Sequence, residues 1–131
     1  MGAEEACHYE VVEQKTEEES ASAKLLCHFA NGKTVAESYT VNASGAAVAI
    51  AGEGEVGFSL PAFVFDGEKE ITVSVDAHTL AVSYEGWVCR YTTDGTIQNL
   101  GWIAANQNGH YRSYLATAQN ELRVQIQIEK E

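Results

Sequence analysis

Basic residues are scarce in this sequence: 8 lysines and arginines stand against 19 aspartates and glutamates, for a formal charge of −11 over 131 residues. That balance argues against a nucleic acid or an anionic membrane as partner, because both require basic surface. No apolar run approaches the roughly 20 residues of a membrane span. There is one proline, Pro61, and one methionine. No segment carries a helical hydrophobic period. The three cysteines cannot all pair within one chain, so a disulfide framework is not expected and small half-buried thiols are the favoured reading, most firmly for Cys89. One bridge, for instance Cys7 to Cys27, stays open. The first residues, MGAEEACHYE, have neither a charged nor an apolar leader region. The expectation is a single domain over residues 1–131, cut from a larger protein.

What is abundant is period-two alternation between turn signals. Residues 71–92, ITVSVDAHTLAVSYEGWVCRYT, divide into three strands at Ala77-His78 and Glu85-Gly86. In that register Ile71, Val73, Val75, Leu80, Val82, Tyr84, Trp87, Cys89 and Tyr91 share one face, and Thr72, Ser74, Ala81, Ser83, Val88 and Arg90 the other. A slip of one residue would turn the apolar set to water. A meander of this size is not stable alone, so another layer must cover it.

Before the meander, HYEVVEQK is a weak strand. TEEESAS is a charged loop. Asn31-Gly32 is a hairpin signal, expected as a two-residue loop pairing Phe29 with Thr34 and Cys27 with Ala36. AAVAIA and VGFSLPAF read as two strands separated by a glycine loop, and Pro61 confines the second to an edge or a bulge. After the meander, TIQNLGWIAA is a strand with a bulge at Gly101. HYRSYLATA and LRVQIQI follow as separate strands, the latter alternating Leu122, Val124, Ile126 and Ile128 with polar residues. The sum is about ten strands, an all-β, antiparallel two-layer β-sandwich, with a closed barrel as the alternative.

No motif announces chemistry. There is no G-x-S-x-G elbow, phosphate-binding glycine loop or H-E-x-x-H, and no catalytic residue is assigned. Cys7-His8 and Cys27-His28 invite a zinc reading. Adjacent strand residues point to opposite faces, so one dipeptide can hardly give both ligands to one metal. His8 and His28 can meet on one face, but two ligands make a poor site. Asp66, Glu68, Asp76 and Asp94 are better read as turn residues than as a calcium loop. No metal and no cofactor is expected. NGHYRSY places His110, Arg112 and Tyr114 along one side of a strand. That stripe is expected outside, together with Trp102, as the guess for contact with a ligand or a neighbouring domain. Three groups in line over about 13 Å do not converge on one reacting atom.

FSLPAFVFDGEKE, HTLAVSYEGWVCRYTTDG and AANQNGHYRSYLATAQNELRVQIQIE resemble the C-terminal end of bacterial heparinase II/III-like proteins, over about residues 56–131. The resemblance implies a non-catalytic accessory sandwich attached to an α/α-toroid polysaccharide lyase or relative, in a periplasmic or extracellular protein. The family's tyrosine, histidine and asparagine motifs match no position here. The partners implied are the catalytic domain of the parent and, in a second reading, a polysaccharide held by exposed aromatics. A small stand-alone enzyme ranks third.

Overall fold

The computed structural model describes residues 7–131 and is built of nine antiparallel strands. These are β1 (Cys7–Thr16), β2 (Ser20–Phe29), β3 (Thr34–Asn42), β4 (Gly45–Phe65), β5 (Thr72–Val75), β6 (Thr79–Tyr84), β7 (Trp87–Thr93), β8 (Thr96–Asn106) and β9 (Gly109–Lys130). They form one continuous sheet, β1-β2-β3-β4-β9-β7-β6-β5, with β8 paired to β9, and the sheet is not closed into a barrel.

The two layers arise from two long strands that bend together. β4 pairs with β9 along almost its whole length, and the register breaks between Ala51 and Glu55. On the near side of the break, β4 also pairs with β3, and β9 with β7. On the far side, β9 pairs with β8, and β4 has no second strand among the described residues, apart from a single bridge between Phe65 and Glu70. The sheet thus folds over on itself as an eight-strand layer and a three-strand layer. Gly54, with φ of 84°, and Asn120, with φ of 68°, sit at the bend in the left-handed region that extended strands avoid. The sequence reading divided each of these strands in two. Turn chemistry does mark those points, but the chain bends there without reversing.

The core lies between the layers. Val48, Ile50, Leu80, Val82, Leu122 and Val124 of the large layer meet Val56, Leu60, Ala62, Ile97, Tyr114 and Ala116 of the small one. Leu60, Leu80, Leu122 and Val124 are the largest fully buried side chains. Each stabilises by about 1.5–3 kcal/mol relative to exposure. Pro61 lies on the half of β4 that has one strand partner, as its missing N–H requires, and its carbonyl accepts the Tyr91 hydroxyl at 3.4 Å.

The 71–92 meander has the expected register throughout: Val73 opposes Val82, Leu80 opposes Tyr91, Val82 opposes Cys89 and Tyr84 opposes Trp87. Its cover is narrower than expected. Ile71, Leu80 and Val82 are buried, whereas Val75 and Trp87 are exposed, Trp87 by 50%. Both sit at strand ends, beyond the reach of a three-strand second layer.

Two expectations need correction. The Asn31-Gly32 turn is a three-residue loop: Phe29 N–H donates to Lys33 O at 2.9 Å, and Cys27 opposes Val35. Gly32 takes the positive φ of 87° that this loop demands at its last residue. The slip of one residue places Val35 and Tyr39, not Ala36, on the face of Cys27. Second, Cys27 is disulfide-bonded, not a thiol, and Cys89 is free. The side chain of Cys7, the candidate for that bridge, lies outside the described residues.

Candidate functional site

β3 leaves β4 at the pair Ala36–Ala51, and β4 then bends away. A cleft opens between the β2–β3 hairpin and the outer face of the small layer. It consists of two adjoining hollows of about 570 and 440 Å³ that share Phe29, Val35, Glu55 and Val56. Cys27, Val35 and Ile50 line one side, and Gly57, Leu115 and Thr117 the other. The alternation of β2 and β4 supplies this apolar lining, because the same face that feeds the core continues past the edge of the second layer.

Charge is concentrated at the rim. Glu37, Glu53 and Glu55 are carboxylates of the cleft, against Lys33 from the hairpin turn. The Tyr39 hydroxyl, on the strand carrying Glu37, donates to the Glu37 carboxylate. Burial pushes the Tyr39 hydroxyl well above the usual phenol range, and the neighbouring Glu37 carboxylate pushes it the same way. A tyrosine so held keeps its proton near neutrality and is no base. Three carboxylates also oppose the approach of a uronate. The cleft suits an apolar or cationic group.

The residues singled out in the sequence do not form one site. His110, Arg112 and Tyr114 run along β9 as expected, but the stripe passes from the surface into the core. His110 is exposed with its ring 5.1 Å from that of Phe65, Arg112 is half-buried with its Nε shielded and lacking a hydrogen-bond partner, and Tyr114 is only 5% exposed. The expectation of an outside stripe therefore fails at Tyr114, which opposes Leu60 within the core. Trp102 is 55% exposed on β8, next to the register break between Asn99 and Ile103 that Gly101 was expected to cause. β8 pairs with β9 on the side away from β4.

The histidine pairs behave as strand alternation predicts. Cys27 is buried while His28 faces out and stacks on His8, its strand-pair partner, with ring centroids 6.3 Å apart. His28 Nε2 lies 3.0 Å from Glu10 Oε1. Among the described residues, no group of three or more histidine, cysteine or acidic side chains is placed to hold a metal ion. The aspartates at turns are caps: Asp66 Oδ1 accepts the N–H groups of Glu68 and Lys69, and Asp76 Oδ1 those of His78 and Thr79.

Sequence reasoning missed the cleft. Glu53 and Glu55 stood in what read as a glycine loop. The visible signal was the pair of glycines flanking Glu53, a mark of a bend as much as of a loop.

No family model matches the chain, and no curated protein matches it. Two solved structures share its fold. A heparinase III gene product aligns over 95% of this chain with a TM-score of 0.67 at 10% identity. The heparan sulfate lyase HepC from Pedobacter heparinus aligns over 94% with a TM-score of 0.64 at 8% identity. In both cases the chain spans only 22% of the other protein's length. This chain therefore has the β-sandwich fold of a region that makes up about a fifth of each of two heparinase-type lyases.

Proposed function

We propose that the chain is a non-catalytic accessory sandwich of a heparinase-like, polysaccharide-degrading protein, one domain that packs against the part carrying the chemistry. The observation that carries this reading is the match itself: nearly the whole of this chain corresponds to about a fifth of two lyase structures. The surface supports a docking role. Leu100, Trp102, Ile103, Ala104 and Ala105 are all exposed on β8, an uncharged run on a chain of charge −11. Such a ridge suits burial against a larger partner. The disulfide at Cys27 supports an oxidising compartment for the parent, the periplasm or the exterior of the cell.

The test is ultraviolet absorbance of the unsaturated product on incubation with heparin, heparan sulfate and alginate. The isolated chain is expected to give none. Turnover that Arg112→Ala or Glu37→Gln abolishes overturns the reading and makes the chain an enzyme in its own right.

The second reading, a sugar-binding module, rests on the exposure of Trp102 and Trp87. These residues lie on different strands, β8 and β7. A Trp102→Ala variant with unchanged retention on heparin- or alginate-linked resin removes the support for it.

A further inference from the structure

We propose that the cleft between the β2–β3 hairpin and the far half of β4 is a docking groove for an extended peptide segment with alternating apolar and basic side chains, supplied by the parent polypeptide outside residues 1–131. The inference rests on the accessory-domain reading and adds a second contact surface to it, on the opposite side of the small layer from the β8 ridge.

Three features converge on that occupant. The first is an open strand edge. β3 stops pairing at Ala51, so the side of β4 that faced it has no strand partner over residues 52–60 among the described residues. The open stretch ends at Pro61, which has no N–H and whose carbonyl accepts the Tyr91 hydroxyl, and Val64 O accepts the N–H of Ile71. An unpaired edge is a template for strand addition, and an added strand sends alternate side chains to alternate faces. The second is the apolar lining beside that edge, from Val35, Ile50, Val56 and Leu115. It lies within reach of one face of such a strand. The third is charge. Glu53 and Glu55 lie along the open edge, and neither carboxylate has a hydrogen-bond or ion-pair partner among the described residues. Glu37 adds a carboxylate on the opposite wall. Lys33 is the cation of the cleft lining and sits at the mouth. Two free carboxylates beside an apolar floor are matched by lysine or arginine placed two residues apart, with apolar side chains between them. The same carboxylates disfavour the anionic glycan.

The experiment titrates the isolated, isotope-labelled chain with a short capped peptide alternating valine and lysine, and separately with its valine–glutamate counterpart, following backbone amide shifts. The expected result is movement of the Val35, Gly52, Glu55 and Gly57 amides by the lysine peptide alone. Glu53→Gln/Glu55→Gln should weaken that binding by about tenfold or more, while Lys33→Glu should strengthen it. Strengthening cannot come from misfolding. Absence of binding, equal binding of both peptides, movement of the same amides by a heparin tetrasaccharide, or self-association of the chain through this groove overturns the inference. These outcomes are separate from the absorbance assay: a chain that binds no peptide and turns over no glycan refutes the groove and leaves the accessory reading standing.

Discussion

The N–H of Gly54 donates to Oδ1 of Asn120 at 3.1 Å, across a bend shared by strands 66 residues apart in sequence. Both residues hold positive φ, at 84° and 68°. The pair closes the gap that the register break leaves between β4 and β9. Without it, the N–H of Gly54 would lose its partner where the ladder is interrupted. Asn120→Ala removes the acceptor and places an ordinary side chain in the left-handed region, with an expected cost of about 1–3 kcal/mol in a denaturant melt. Asn120→Gly loses the hydrogen bond but relieves the backbone, and is expected to cost less than the alanine. Equal stability of all three proteins would show that the bend is held elsewhere.

The half-exposed position of Trp87 separates it from Val82, which is buried on the same face of the meander. Val82→Ala is expected to destabilise by about 2 kcal/mol through lost burial and a residual cavity. Trp87→Ala should cost less than half of that. A larger loss for the tryptophan would show that its face is covered in solution.

The Tyr91 hydroxyl gives an alkaline prediction. Burial, and after it the neighbouring Cys89, push it up to about 12. Unfolded, a tyrosine releases its proton near about pH 10. Above that, the unfolded chain holds fewer protons than the folded one, so stability falls as pH rises from about 10 through 12. Tyr91→Phe should flatten this alkaline limb of the melting curve while leaving the neutral region nearly unchanged.

Asp66 gives the acid counterpart. The N–H groups of Lys69 and then Glu68 hold its carboxyl below the usual aspartate range. A depressed folded value means stability present above the unfolded value and lost as pH falls through the folded one. Asp66→Asn is expected to lower the melting temperature at neutral pH and to reduce its decline below about pH 4. The same carboxylate accepts the Tyr84 hydroxyl at 3.0 Å, so Tyr84→Phe should give a weaker version of the same profile.

A strong chelator is expected to leave the melting temperature unchanged, since no group of three or more histidine, cysteine or acidic side chains among the described residues is placed to hold a metal ion, the pair His8–His28 on one face of β1 and β2 included. A large drop would assign a structural metal to that face.

The sequence alone determined which residues alternate and where the tight turns fall. It placed Leu80 and Val82 on one dry face and Leu122 and Val124 on one side of a strand, and all four lie in the core, because a period of two leaves an apolar set only one dry side. It also placed Pro61 at an edge and the bulge at Gly101, since both follow from the backbone chemistry of single residues. Tertiary structure decided the rest. A glycine-flanked Glu53 is compatible with a loop or with a bend, and only the partner strand, bending at Asn120, makes it a bend. Whether an apolar strand face is buried depends on the width of the layer opposite, which no local pattern encodes. That width leaves Trp87 exposed, draws Tyr114 inside, and leaves uncovered the strip of β2, β3 and β4 that becomes the cleft.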